Sequence, residues 1–148
     1  MSHHLLHWEH ILKATGHRVT RQREIILDAV CAAGGHTSFD DIYGRTRDRD
    51  RSVDRSTVYR ALHLFVEVGL VVEAKSGAET LYEIRKVLPH HHLVCRTCGK
   101  EREVSDASVQ AMANEVFRNH RFRVATDHLM LFGRCANCQD AGPQEGDR

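Results

Sequence analysis

The sequence predicts an α+β protein with an N-terminal winged helix-turn-helix and a smaller C-terminal α/β domain that holds a zinc site made of four cysteines. Three observations lead to this prediction: helical apolar spacing in the first half, a β-hairpin pattern after it, and two C-x-x-C pairs in the second half. The expected boundaries are residues 1–86 for the first domain, 87–140 for the second and 141–148 for a disordered tail.

The first two predicted helices end at glycines. One is expected over Leu5 to Ala14 and stops at Gly16. The second begins after Thr20, whose hydroxyl can accept a backbone N–H at a helix start, and its apolar residues recur at helical spacing until the pair Gly34-Gly35.

A third and a fourth helix precede the hairpin. The third starts at Ser38 and is expected to stop near Asp48, within a polar stretch, residues 45–51, that is typical of a solvated loop. The fourth fits Arg55 to Val68 and is followed by a glycine. The residues after it, 70–74 and 80–84, form the hairpin, and in a winged helix the last helix enters the DNA major groove.

The second half has its own pattern of elements. Strands are expected from His92 to Cys95 and near residues 101–104, followed by a helix capped by Ser105. Residues 122–132 then read as one or two strands.

Four cysteines form two knuckles that suit a closed metal site. They are Cys95, Cys98, Cys135 and Cys138. Two C-x-x-C pairs supply four thiolates for tetrahedral Zn²⁺, which leaves no open coordination position, so the predicted role of the zinc is structural. Metal binding of this kind supplies folding free energy to a small domain. The fifth cysteine, Cys31, is expected to be a small buried hydrophobic residue.

Three consecutive histidines precede the first knuckle. In a strand, His90 and His92 point to one side and His91 to the other. From the residues alone, an exposed polar run and a metal site both remain open. His36 and Glu83, each considered alone, read as an exposed loop residue and a strand-face carboxylate. The histidines near the N-terminus are expected to be solvated; they are His3, His4, His7 and His10.

Composition limits the class of protein. Of the 148 residues, 41% are hydrophobic and 28% are charged, so an ordered core is expected. No apolar run approaches the roughly 20 residues of a membrane helix, and the N-terminus lacks a signal-peptide pattern, which predicts a cytoplasmic protein. The formal net charge is only +1, so nucleic-acid binding would depend on a local patch.

The chain resembles the ferric uptake regulator (Fur) family in three motifs. These are residues 55–62 (RSTVYRAL), residues 90–100 (HHHLVCRTCGK) and residues 135–138 (CANC). The resemblance implies a homodimeric, metal-dependent transcription factor, usually a repressor, that binds a palindromic double-stranded DNA operator. It implies no enzymatic activity, no membrane partner and no small-molecule substrate.

The resemblance also implies a regulatory metal site between the two domains. Its ligands would be His36, Glu83, His90, His92 and Glu103. Imidazoles and carboxylates without a thiolate suit Fe²⁺ or Mn²⁺, although Zn²⁺ also binds such sites in vitro. A metal that joins the domains would fix the angle between them.

A further family site matches poorly. Its positions here are Pro89, His91, Gln110 and His128, and proline has no donor while glutamine replaces a glutamate. The site is therefore expected to be weak or absent, with His91 and His128 as its remaining donors.

For DNA, the resemblance implies Tyr59 and Arg60 as the base-reading pair, on a helix that begins Arg55-Ser56-Thr57. The arginines near the second helix would contact phosphates; they are Arg18, Arg21 and Arg23.

Two other readings are open. Within the family, the signal could be zinc or peroxide. Glu83 stands where the zinc-sensing branch usually has cysteine, which weighs against zinc sensing. Glu103 stands where the peroxide-sensing branch usually has aspartate, which weighs against peroxide sensing. In another class, the chain would be a zinc-containing thiol oxidoreductase or hydrolase, but it has no HExxH, P-loop or GxSxG motif.

Overall fold

A computed structural model describes residues 4–86 and 88–139, with side chains from residue 7 onward. The chain divides into two compact units, residues 1–85 and 86–148, here called the N-terminal and C-terminal units. The predicted tail at 141–148, and the side chains of His3 and His4, lie outside the described residues.

The N-terminal unit contains four helices and a three-stranded sheet. Its elements are α1 (His4–Ala14), α2 (Arg21–Cys31), β1 (Thr37–Ser38), α3 (Phe39–Arg49), α4 (Arg55–Glu67), β2 (Val71–Ser76) and β3 (Glu79–Ile84). The strand order is β1-β3-β2, with both pairings antiparallel. The fold is the predicted winged helix, with the two-residue strand β1 as an addition that the sequence pattern did not indicate.

Capping side chains begin these helices as their sequences predict. Thr20 accepts from the backbone N–H of Arg23 at α2, and Ser38 accepts from that of Asp41 at α3. Asp54, not foreseen as a cap, does the same at α4. Each cap satisfies a backbone donor that has no partner within its helix.

One apolar core holds the N-terminal unit together. Phe65, Leu12 and Ile26 are fully buried, and Trp8 and Tyr82 join the same cluster. Because the apolar stripes of α2 and α4 both face this core, the opposite face of α4 is left exposed to solvent.

The C-terminal unit is a second three-stranded sheet with one long helix. Its elements are β4 (His91–Cys95), β5 (Glu101–Val104), α5 (Asp106–His120), β6 (Met130–Gly133) and α6 (Ala136–Gln139). The strand order is β5-β4-β6, in which β4 pairs antiparallel with β5 and parallel with β6. Ser105 caps α5 as predicted.

Three local predictions were wrong. The stretch 45–51 is helical as far as Arg49, because Thr46 and Ile42 face the core while the alternating charges point outward. In residues 122–132 only Met130 onward forms a strand. Cys31 is exposed, because it is the last residue of α2 and lies outside the run of that helix that packs into the core.

No helix within the described ranges is long and apolar enough to cross a membrane.

Candidate metal sites and DNA-binding surface

The C-terminal unit gathers the four predicted zinc cysteines at one end of its sheet. Their ligand atoms all lie within 4.8 Å of one another, and the Sγ atoms of Cys98 and Cys135 are 3.8 Å apart. A tetrahedron with zinc–sulfur bonds of about 2.3 Å has sulfur–sulfur edges of about 3.8 Å. The cysteine cluster therefore has the dimensions of a structural zinc site.

Backbone pairing builds this cluster. Cys95 ends β4 and lies opposite Gly133 of β6, and the backbone N–H of Arg96 donates to the Gly133 carbonyl at 2.8 Å. This pairing carries the second knuckle, which begins at Cys135, to the first. The turn of the first knuckle closes through Gly99, whose φ of 70° suits a residue without Cβ.

The protonation equilibria of the thiols also fit a bound cation. Backbone N–H groups of Cys135, Cys98 and Thr97 surround the Cys95 sulfur and lower the pKa of its thiol to about 6. Hydrogen bonds with the sulfurs of Cys135 and Cys98 raise the pKa of the Cys138 thiol to about 12. One thiolate forms readily, whereas further thiolates at this distance need a positive ion between them.

The N-terminal unit holds a buried histidine–glutamate pair. The Nε2 atom of His36 lies 3.6 Å from Oε2 of Glu83, and both side chains are almost fully buried. Strand β1 creates this pair: Thr37 lies opposite Tyr82 in the antiparallel register, which sets the preceding residue, His36, across from Glu83. A buried carboxylate is costly unless positive charge balances it, so this pair is suited to a metal ion.

The C-terminal unit brings three imidazole rings together. The ring centroids of His90 and His92 are 4.9 Å apart, and His128 lies 4.9 Å from His90 and 5.1 Å from His92. His90 and His92 share a side, as strand alternation predicts. We call these three residues the imidazole cluster. A carboxylate oxygen of Glu101 lies 2.6 Å from Nδ1 of His92.

Glu103, a predicted regulatory ligand, forms an ion pair with Lys86. This ammonium lowers the pKa of the Glu103 carboxyl, and the charges of His90 and His92 act in the same direction. Glu103 lies opposite His92 in the β4–β5 register. The structure also places the Glu101 carboxylate beside Nδ1 of His92. Sequence reasoning missed Glu101, although it lies two residues from Glu103 on the same strand face.

The predicted weak third site kept His91 and His128 as its donors. These two residues have different surroundings, because His128 belongs to the imidazole cluster and His91 does not. His91 is fully buried, its Nε2 lies 2.9 Å from Asp106, and its Nδ1 accepts from the Leu129 backbone N–H at 3.2 Å. Both ring nitrogens of His91 are thus engaged by protein groups. Gln110 donates to Asp106 and extends this network. The hydrogen bonds from His91 and Gln110 lower the pKa of the Asp106 carboxyl, and the bond from His91 contributes most.

A basic groove of about 490 Å³ lies between the start of α2 and α4. Arg18, Arg23 and Arg60 all line it, together with Thr57. The side chain of Arg23 donates to the carbonyl of Arg18, and Arg60 donates to the Thr57 hydroxyl at 3.3 Å. Three guanidinium groups in one groove provide the local positive patch that the near-neutral chain would need for nucleic acid.

The exposed side of α4 starts beside this groove. Tyr59 is 59% exposed although it is aromatic, and Arg60 follows it on the same solvent side. Asp54 accepts hydrogen bonds from the Thr57 backbone N–H at 2.7 Å and from the Ser56 hydroxyl at 2.9 Å. These bonds lower the pKa of the Asp54 carboxyl. They also fix the first turn of the helix.

Two of the predicted DNA-contacting arginines, Arg21 and Arg55, lie apart from the groove lining. Arg21 is exposed at the first residue of α2. Arg55 bonds to Asp40 at 2.8 Å, and its guanidinium lies 4.8 Å and 5.0 Å from the ring centroids of Phe39 and Tyr43. Arg55 therefore also ties the start of α4 to α3 through a carboxylate and two aromatic faces.

Comparison with known proteins gives one consistent answer. The sequence profile of the Ferric uptake regulator family matches residues 14–132. The Ferric uptake regulation protein of Escherichia coli strain K12 is 35% identical over 127 residues, which is 84% of this chain and 86% of that protein. The Zinc uptake regulation protein of Mycobacterium tuberculosis strain H37Rv is 35% identical over 130 residues, 86% of this chain and 99% of that protein.

Solved structures agree with the sequence comparisons. The Helicobacter pylori ferric uptake regulator Fur, described as having three functional metal binding sites, matches with a TM-score of 0.74 and 25% identity over 93% of this chain and 92% of that chain. These relatives are regulators by name. This chain belongs to the ferric uptake regulator family and is a metal-responsive transcription regulator.

Proposed function

We propose that the protein represses transcription as a homodimer that binds a palindromic DNA operator when Fe²⁺ or Mn²⁺ occupies its regulatory site. The observation that carries this proposal is the buried pair of His36 and Glu83 in the N-terminal unit, a histidine–carboxylate pair with no thiolate. His90 and His92 in the C-terminal unit would supply the remaining imidazoles, and Glu103 is retained as a further ligand.

The donor chemistry favours iron or manganese over zinc. Imidazole and carboxylate ligands in higher coordination numbers suit Fe²⁺ and Mn²⁺, whereas thiolates select zinc. The relatives do not decide this point, because an iron-named and a zinc-named regulator are each 35% identical to the chain. The four cysteines would hold a separate, permanent Zn²⁺.

The switch would act by joining the two units through a shared ion. His36 and Glu83 would hold the N-terminal unit in one orientation when they share a ligand with His90 and His92. When bound, the metal supplies the positive charge that balances the Glu83 carboxylate. The free energy available for switching equals the difference between the free energies of metal binding to the two orientations.

The N-terminal unit would contact DNA through the exposed side of α4. Tyr59 and Arg60 would reach base edges in the major groove, with Ser56 and Thr57 at the helix start. Arg18 and Arg23 of the basic groove, with Arg21 nearby, would neutralise phosphates. Arg55 would support the same helix start.

Homodimer formation would use the C-terminal unit. The apolar face of α5 includes Met112, 37% exposed, and Phe122 just beyond the helix is 63% exposed. Apolar surface of this kind on a small unit is typical of an interface with a second copy. A symmetric dimer would read two half-sites, which requires a palindromic operator.

Replacing Arg60 with alanine tests the proposed DNA contact. The reference DNA is the sequence enriched from a random library by the metal-loaded wild-type protein. Arg60→Ala is expected to weaken binding to this DNA by at least about 30-fold, because each of two half-sites loses an interaction of about 1–3 kcal/mol. Fluorescence anisotropy measures the affinity, and mass spectrometry of metals should show unchanged zinc.

Arg118→Ala is the matched control, since it removes one exposed arginine from α5 in the other unit. It should leave binding to the enriched DNA unchanged. Retention of sequence-specific affinity by Arg60→Ala would overturn the assignment of the base-reading residue.

A further inference from the structure

We propose that His128 is a ligand of the regulatory ion, so that the imidazole cluster can bind a divalent metal within the C-terminal unit before His36 and Glu83 contribute. This inference rests on the proposed function, because it concerns the same ion. It removes His128 from the weak third site and gives the regulatory site a fourth imidazole, the third from the C-terminal unit.

The register of the C-terminal sheet places His128 beside His90. In the parallel pairing of β4 with β6, His92 lies opposite Met130. Continuing this register back by two residues on each strand sets His90 opposite His128. The observed ring distance between His90 and His128 agrees, with centroids 4.9 Å apart. The strand register therefore brings the backbones of these two residues side by side, and their rings lie together.

The neighbouring backbone fixes the segment that carries His128. The carbonyl of Leu129 accepts from the backbone N–H of His92 at 2.9 Å, and the Leu129 N–H donates to Nδ1 of His91 at 3.2 Å. Leu129 is thus held to both histidines of β4. The adjacent His128 is thereby anchored beside the imidazole cluster.

The arrangement has the features of a three-histidine metal site. All three rings contact one another, with interplanar angles of 84°, 60° and 61°, so they converge without stacking face to face. Glu101 lies 2.6 Å from Nδ1 of His92, so Nε2 of that ring would be the ligand atom. A carboxylate that orients a ligating histidine through its other nitrogen is a common support of metal sites.

The consequence is an order of events in metal sensing. Three imidazoles within one unit can capture the ion without any contribution from the N-terminal unit. Glu83 and His36 would then add the ligands that fix the orientation of the DNA-binding unit. Metal binding can then be separated from activation of the protein for DNA binding. A Glu83 variant should still bind the ion, whereas a His128 variant should bind it poorly.

The test is a Co²⁺ titration of protein that retains its structural zinc, followed by visible absorption. Wild type should bind one Co²⁺ per chain in addition to zinc. His128→Gln should bind it at least about tenfold more weakly, since even residues that only support metal ligands contribute about 10–100-fold. Glu83→Gln should retain a Co²⁺ spectrum. His120→Gln, at an exposed position of α5 in the same unit, should match wild type.

Wild-type affinity for Co²⁺ in His128→Gln would overturn the inference. Zinc content and thermal melting establish that the variant is folded. If His128→Gln loses its zinc, nuclear magnetic resonance of the wild type decides: Co²⁺ should strongly shift the His128 ring signals, and unshifted signals would contradict the inference.

The same samples separate this inference from the proposed function. If Co²⁺ does not change the affinity for DNA but His128 is still required for Co²⁺ binding, the proposed switch is refuted and the role of His128 stands. If the His128→Gln protein binds Co²⁺ as wild type does and its DNA binding still depends on the metal, the role of His128 is refuted and the proposed switch stands.

Discussion

Replacing Cys135 with serine is expected to remove the zinc and unfold the C-terminal unit. The apolar core cluster of the described residues lies entirely within the N-terminal unit. Among the described residues of the C-terminal unit, the buried hydrophobic ones are Cys95 and Val109, and the buried polar ones are His91 and His92. So small a core cannot by itself offset the entropy of folding, so the four thiolates and their ion must supply much of the stability.

Metal analysis and hydrogen exchange measure this effect. Cys135→Ser should fall from one zinc per chain to nearly none, and the amides of β4 and β6 should exchange rapidly while those of α2 and α4 remain protected. Cys31→Ser is the control, because this exposed cysteine lies in the other unit. Full protection of β4 in a zinc-free Cys135→Ser protein would show that zinc is not structural.

Replacing Glu83 with glutamine is expected to abolish the response of DNA binding to metal. The side chain of Glu83 is only 4% exposed and faces His36. Glutamine preserves the size of the side chain but removes the negative charge that a buried cation requires. The ion would therefore no longer stabilise one orientation of the N-terminal unit. Typical coupling between two sites amounts to a change in affinity of about 5–150-fold, and the variant should lose all of it.

Fluorescence anisotropy with the enriched DNA, with and without Mn²⁺, measures this loss. Glu73→Gln is the matched control, since it removes an exposed carboxylate from the neighbouring strand of the same hairpin. Glu73→Gln should respond to Mn²⁺ as wild type does. A normal Mn²⁺ response in Glu83→Gln would remove Glu83 from the regulatory site.

Local features of the fold could be predicted from the sequence. Thr20, Ser38 and Ser105 were recognisable as caps because each accepts from a backbone N–H only three residues along the chain. The zinc cysteines were recognisable for the same reason, since each knuckle is a short local motif. The end of α3 was predicted to within one residue, near Asp48 against Arg49. The loop interpretation of residues 45–51 was wrong because burial of Thr46 depends on tertiary packing, while its charged neighbours resemble a loop.

Features that depend on strand pairing could not be predicted. Strand β1 has only two residues, too few for a periodic signal, yet it sets His36 across from Glu83. His128 lies 36 residues after His92 in the chain (128 − 92), and only the parallel register of β4 with β6 brings the two together. Family resemblance supplied His36 and Glu83 as candidates, while the approach of Glu101 and His128 required the structure.

A divalent ion at the regulatory site is expected to turn DNA binding on. The most direct test is an oxygen-free titration of the zinc-loaded protein with Fe²⁺, Mn²⁺ or Zn²⁺, with affinity for the enriched DNA as the readout. We predict that Fe²⁺ and Mn²⁺ each raise this affinity at least about tenfold, a typical size for coupling between two sites. A response to Zn²⁺ alone would contradict the iron or manganese assignment, and an affinity that no ion changes would contradict the switch itself.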